Sequence, residues 1–374
     1  MNSTPTDIDS LLCRPDMYRD GQTIRSLAEA IRRTPHPPLS IMEVCGGQTF
    51  TLARYRLEEL LPNDIRMIHG PGCPVCVTPQ RVIDQAIMLA MRPEVILCSF
   101  GDMIRVPGTQ SSLLRAKASG ADVRILYSPL DTLAIAKENP ERQVVFLAIG
   151  FETTTPIYAV MVEKALSAGI DNLSLLTSLY TVPAAVRAIK SDPECRVDAL
   201  LAAGHVCAIT GTSEYRNLAA ELNMPVVITG FEPVDMMAGI LKATEMAARG
   251  DNSVANAYSR VVSPEGNPVA ADAVDRVFEL ADTEWRGIGT IPASGKKLKK
   301  DYQQFDARTR FNLDRESNHD TDGCSGCIAH LIMKGLALPA DCPYFGGECT
   351  PDNPVGAPMV SSEGVCAAHF RYRN

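Results

Sequence analysis

Cysteine is the residue whose spacing carries the most chemistry in this chain. Cys327, Cys342, Cys349 and Cys366 stand at C-x14-C-x6-C-x16-C, and Cys324 adds a C-x2-C at the front. Such a density of thiols in loop-rich sequence fits a four-thiolate metal site. A zinc ribbon would show two C-x2-C knuckles, and only one exists here. A disulfide knot is disfavoured in a reducing compartment. The pattern therefore predicts an iron–sulfur cluster, with Cys324 and Cys327 competing for the first position.

A second group is Gly70-Pro71-Gly72-Cys73-Pro74-Val75-Cys76. A C-P-x-C dithiol at a strand end that opens a helix is a redox arrangement, because the helix N-terminus favours the thiolate of its first cysteine. Two buried thiols beside a rigid loop are the plainer alternative. A third candidate is Cys45 in Glu43-Val44-Cys45-Gly46-Gly47-Gln48-Thr49, placed as a nucleophile or metal ligand, or else as a small buried hydrophobe. Gly150-Phe151-Glu152-Thr153-Thr154-Thr155-Pro156 offers a carboxylate and hydroxyls for a polar ligand or for protons, or a simple helix-capping turn. His205 after Gly204, and His69 before the Gly70 loop, are each a general base, a ligand or an ordinary hydrogen-bonded histidine. Cys13, Cys98, Cys195 and Cys207 have no ligand-like spacing and read as structural.

The elements that must position these groups repeat along the chain. Pro93-Glu94-Val95-Ile96-Leu97-Cys98-Ser99-Phe100-Gly101 and Val197-Asp198-Ala199-Leu200-Leu201-Ala202-Ala203-Gly204 match at an offset of about 104 residues, each leading to a Gly-Thr pair. Val77-Thr78-Pro79 matches Thr181-Val182-Pro183, and the strand at 123–126 matches that at 226–229. The strand before Cys45 corresponds to residues 144–149 before Gly150. Short apolar strands alternate with amphipathic helical stretches, the pattern of parallel sheets covered by helices. The expected fold is α/β: two duplicated parallel-sheet domains, 38–140 and 141–245, after an N-terminal helical arm at 1–37 striped by Leu27 and Ile31. Residues 246–374 are expected to form a helical connector, helical again through 270–280, and a loop-rich iron–sulfur module. Loops at the carboxyl ends of such strands carry chemistry, so the junctions after Val44, Ile68, Phe100, Ile149, Tyr180 and Ala203 are expected to line one cleft.

Composition narrows the function classes. A net charge of −8 argues against a general nucleic-acid binder. The basic run Lys296-Lys297-Leu298-Lys299-Lys300 reads as a solvated loop. No segment approaches the roughly 18 apolar residues that span a bilayer, and residues 1–16 lack a signal-peptide core. A cytoplasmic protein is expected, where twelve cysteines mean metal or redox chemistry rather than staples.

Taken together, the motifs resemble the HypD family of NiFe-hydrogenase maturation factors. The resemblance covers nearly the whole chain. It rests on Met42-Glu43-Val44-Cys45-Gly46-Gly47, the Gly70–Cys76 motif, Gly150-Phe151-Glu152-Thr153-Thr154, Trp285-Arg286-Gly287-Ile288-Gly289, the four-cysteine tail, and Val360-Ser361-Ser362-Glu363-Gly364. Gln48 and Phe50 stand where many members carry histidine. The resemblance implies a redox-active scaffold for the Fe(CN)2CO group, sharing a transient iron with CN and CO ligands with a HypC-type partner. Cyanide would come from a HypE-type partner. Cys45 would hold the iron, and Cys73 and Cys76 would exchange electrons between it and a 4Fe-4S cluster on Cys327, Cys342, Cys349 and Cys366. Glu152 and His205 would serve the same cleft. A cluster-dependent thiol–disulfide oxidoreductase acting on a protein, and a zinc-stabilised binding module, are the alternatives.

Overall fold

A computed structural model describes residues 12, 14–313 and 326–372. Cys13, Cys324 and residues 1–11 of the expected N-terminal arm lie outside them. Eleven strands are described: β1 (Leu39–Glu43), β2 (Ile65–His69), β3 (Val95–Ser99), β4 (Val123–Ile125), β5 (Gln143–Gly150), β6 (Leu173–Tyr180), β7 (Ala199–Ala203), β8 (Val226–Thr229), β9 (Val254–Asn256), β10 (Phe278–Trp285) and β11 (Gly289–Leu298). They form two sheets, ordered β2-β1-β7-β8-β9 and β10-β11-β6-β5-β3-β4. The first is parallel throughout. Strands β1, β3, β5, β6, β7 and β8 are buried on both faces over almost all their length, which is why they read as continuous apolar runs rather than alternating ones.

The repeat is present, but the sheets do not follow its boundaries. Pairing β1 with β5, β2 with β6, β3 with β7 and β4 with β8 makes β2-β1-β7-β8 and β6-β5-β3-β4 the same arrangement with halves exchanged. Each sheet thus takes two strands from 38–140 and two from 141–245. A parallel sheet wound in both directions from its first strand needs a neighbour on the side away from the strand that follows it in sequence, and the other half supplies it. The gaps between β1 and β7, and between β5 and β3, are therefore the topological switch points.

The expected connector also differs. The helix Pro233–Arg249 runs through the boundary at 245, and β9 beyond it joins the first sheet. Helix Pro268–Val277 ends three residues earlier than expected, and the chain then forms the antiparallel pair β10–β11 on the edge of the second sheet. Lys296-Lys297-Leu298 is part of β11 rather than a loop, with Lys297 paired to Glu279 across the strands at 3.3 Å. Exposure of one face of this edge hairpin leaves too few apolar positions to give a buried-strand signal. The N-terminal helix Gly21–Arg33 is capped by Asp20, whose carboxylate accepts the Thr23 N–H at 2.6 Å. Its stripe of Ile24, Leu27, Ala28 and Ile31 is buried in one apolar cluster with helix Pro233–Arg249. Among the described residues no helix is long and apolar enough to cross a membrane.

Candidate functional site

Cys45 ends the extended backbone after β1 and starts helix Gly46–Arg54, at a switch point. The strand carries a fully buried carboxylate, Glu43, at its last position. Its two oxygens accept the Cys45 N–H at 2.8 Å, the Thr49 hydroxyl, and Nδ1 of His69 at 2.8 Å. The other ring nitrogen of His69 meets Glu58 at 3.1 Å. Burial alone would pull the imidazole down, yet Glu58 and Glu43 raise it to about 9. His69 is thus a charged clamp between β2 and β1, with a carboxylate at each ring nitrogen. Glu43 and Glu58 were not singled out from the sequence, although a carboxylate inside an otherwise apolar strand is a readable signal.

Burial, and then the Glu43 charge, push the Cys45 thiol up to about 12. Its Sγ lies 3.9 Å from Nε2 of His205, in the first turn of helix Gly204–Thr210 after β7. Burial holds His205 down at about 4, so its ring is neutral. The ring is set edge-on to Phe231 with centroids 4.9 Å apart, and Nδ1 has no partner among the described residues. A thiol and a neutral imidazole facing each other across a switch point form a soft ligand with a proton acceptor beside it.

The Gly70–Cys76 loop packs directly on this junction. A Cβ at Gly72 would stand 2.2 Å from the Cys45 nitrogen, so only glycine lets the two backbones approach. Cys73 and Cys76 are joined as a disulfide, with Cα atoms 5.2 Å apart. Cys73 caps the short helix Pro74–Val77, and its Sγ accepts the Cys76 N–H at 3.3 Å. Both half-cystines, with Thr49 and Glu363 of the tail, line one narrow cleft.

The second sheet contributes differently. Phe151 joins Cys45, Ile68, Tyr180, Val182 and Ala203 in one apolar cluster, so five of the six expected strand-end junctions meet, largely as core, while Phe100 packs in a separate cluster. The Thr154 and Thr155 hydroxyls both donate back to the Phe151 carbonyl, at 3.2 and 2.9 Å, which engages them in the turn instead of a ligand. Glu152 accepts the Val182 N–H at 2.9 Å through one oxygen, while the other has no partner among the described residues. Burial raises its carboxyl to about 7. The thiol of Cys207, a residue read as structural, is raised by its own burial and then by the nearby Glu152 carboxyl, with Tyr215 close by.

The tail cysteines come together in loops. After burial, the neighbouring charges of Cys327, Cys349 and Cys342 raise the Cys366 thiol further, so the four share one locality. Cys349 and Cys366 belong to a small apolar cluster with Ile332, Met359 and Val365. The Val355 N–H donates to the Cys349 sulfur at 3.4 Å. A Cβ on Gly356 would collide with the Cys327 sulfur at 2.5 Å. No group of three or more His, Cys, Asp or Glu among the described residues closes to metal-holding geometry. The donor set fits a cluster in kind: four sulfurs, an N–H aimed at one of them, and an apolar surround.

Two doubly wound sheets with a thiol at one switch point and a dithiol loop against it define a class of α/β thiol proteins. The comparisons narrow that class. The HypD family model, described as "Hydrogenase formation hypA family", matches residues 22–373, and the chain belongs to this family. Hydrogenase maturation factor HypD2 of Bradyrhizobium diazoefficiens is 47% identical over 367 residues, covering 96% of both chains. Hydrogenase maturation factor HypD of Rhizobium leguminosarum bv. viciae is 45% identical, over 96% of this chain and 94% of its own. That of Escherichia coli is 43% identical, over 96% and 97%. The protein is a hydrogenase maturation factor of the HypD type.

Proposed function

We propose that this chain is the redox-active scaffold on which the Fe(CN)2CO group of NiFe-hydrogenase is assembled, with iron shared with a HypC-type partner and cyanide delivered by a HypE-type partner. The observation that carries the reading is the meeting of Cys45, His205 and the Cys73–Cys76 loop at one switch point. Iron is the cargo. Sulfur is the protein donor suited to low-spin iron with strong-field diatomic ligands. The thiol is held protonated by burial, so iron binding must displace its proton, and the neutral His205 ring 3.9 Å away is the nearest acceptor. Glu43 fixes the Cys45 backbone while His69 neutralises its charge.

Cys327, Cys342, Cys349 and Cys366 would hold a 4Fe-4S cluster, which supplies one-electron chemistry when bound. The chain's own redox group is the Cys73–Cys76 pair, which takes two electrons and two protons when its disulfide opens. The Cys73 sulfur is the better thiolate because the Cys76 N–H already donates to it.

Infrared spectra of the protein isolated with its HypC-type partner test the scaffold role. Cys45→Ala is expected to keep the fold and the tail iron yet lose the bands of bound carbon monoxide and cyanide. Wild-type band strength in that variant would refute the role. The disulfide also supports a second reading, an iron–sulfur-dependent thiol–disulfide oxidoreductase, which would need Cys73 and Cys76 but not Cys45.

A further inference from the structure

The Cys73–Cys76 disulfide has a second side. Cys73 faces the narrow cleft under Cys45, whereas Cys76 also reaches a separate cavity of about 430 Å³. That cavity is walled by Arg286, Gly287 and Ile288 of the turn after β10, and by His330 and Cys327 of the tail. Its volume lies within the range of small-molecule sites. Cys76 is only 4% exposed yet lines this cavity, so a small molecule inside the cavity is better placed to meet it than a cysteine on the surface of a folded protein. The walls carry a guanidinium, whose planar fork suits carboxylates, and an imidazole beside it.

We propose that this cavity binds a low-molecular-weight thiol carrying carboxylates, and that this thiol reduces the disulfide by attack on Cys76. The proposal rests on the reading of Cys73 and Cys76 as a redox pair. The hydrogen bonding sets the direction of attack. Cys73 Sγ accepts the Cys76 N–H at 3.3 Å, which stabilises a thiolate there and makes Cys73 the better leaving group. The incoming thiolate forms a bond to Cys76 Sγ, the Cys73–Cys76 bond breaks, and Cys73 departs as thiolate. A second thiol then attacks the small molecule's sulfur in the mixed disulfide and releases Cys76. Two thiols become one small disulfide, the protein gains two electrons, and the two thiol protons pass to the new dithiol. The carboxylates contribute only to binding, against Arg286 and His330.

The test uses the full chain under anaerobic conditions, with reduced glutathione as the carboxylate-bearing probe and 2-mercaptoethanol as the uncharged one. Dithiol formation is followed by alkylation and mass spectrometry, with rates compared per thiolate. Glutathione is expected to saturate and to outpace 2-mercaptoethanol. Arg286→Gln is expected to slow glutathione by about tenfold, the loss of one charge-assisted contact, and His330→Gln by less. Neither should change the rate with 2-mercaptoethanol, which a merely structural role would slow equally. In Cys73→Ser, oxidised glutathione should leave its adduct on Cys76. Equal slowing of both probes in Arg286→Gln, or no preference for glutathione in the wild type, overturns the proposal while leaving the redox pair intact. If neither probe opens the disulfide, the redox reading itself fails, and this proposal with it.

Discussion

The junctions after β1 and β5 descend from one pattern and occupy equivalent switch points, yet each solves the same problem with different chemistry. In both, a carboxyl ties the end of the first strand to the neighbouring strand or to the helix that follows it. After β1 the tie is Glu43, inside the strand, reaching His69 at the end of β2. After β5 it is Glu152, past the strand, reaching the Val182 N–H at the start of the helix after β6. The first carboxylate has three donors around it, one of them a cation; the second has one backbone N–H and an oxygen without a partner among the described residues. The first junction holds a thiol and a close-packed disulfide loop, whereas the second is packed mainly as support.

The largest effect should come from closing the space between Cys45 and its loop. In Gly72→Ala the new methyl would meet backbone at 2.2 Å, and backbone cannot rotate away. A loss of more than about 3 kcal/mol is expected, at or beyond the upper end for overpacking. Gly150→Ala is the counterpart after β5. There the methyl would meet the Thr154 side chain, whose Cβ stands at 2.8 Å, and Gly150 holds φ +157°, so the obstacle is a side chain and some backbone strain rather than the backbone itself, and the cost should be smaller. Denaturant unfolding of both variants decides it, and a costlier Gly150→Ala would break the comparison.

Removing the first bridge should come next. Glu43→Ala leaves the buried His69 cation with Glu58 as its remaining carboxylate and takes the acceptor from the Cys45 N–H, at a cost of about 3 kcal/mol. The same clamp predicts a pH dependence. His69 is raised in the folded state from 6.5 to about 9. Its contribution is therefore complete below pH 6.5 and lost as pH rises through 9. Urea midpoints of the wild type should fall across that window, and those of His69→Gln should not.

How much of this was legible depends on what each signal measures. The strand-to-turn repeats exposed the α/β class because buried parallel strands are apolar runs with abrupt ends. They did not expose the exchange of strands between halves, since pairing is a long-range choice that no local period encodes. Cys45, His205 and the C-P-x-C motif were readable because each follows a strand end. The Glu43–His69–Glu58 clamp was not, because its partners lie on three separate elements. The β10–β11 hairpin was missed because it is exposed on one face and Gly-rich around Trp285. The threonines after Phe151 read equally as ligands or as a helix-capping turn; their hydroxyls donate back to the Phe151 carbonyl and make no side-chain cap.

The smallest effect, and the one that most sharpens the contrast, concerns Glu152. Burial lifts its carboxyl from 4.5 to about 7. The folded state therefore holds this proton over a range where the unfolded chain has released it, and stability falls as pH rises from about 4.5 to 7. The window lies below that of His69, so the two bridges can be separated in one titration of unfolding midpoints. Glu152→Gln keeps an acceptor for the Val182 N–H and cannot ionise. It should flatten the lower window, leave the decline between pH 6.5 and 9 intact, and add about 1 kcal/mol above pH 7, the scale of one polar group relieved of uncompensated burial. Glu214 and Lys296 also act on this carboxyl, the first raising and the second lowering it. Glu214→Gln should therefore shift the lower window slightly toward acid without removing it. A lower window that survives Glu152→Gln would show that the second junction carries no buried proton, and the contrast between a charged bridge and a protonated one would fall.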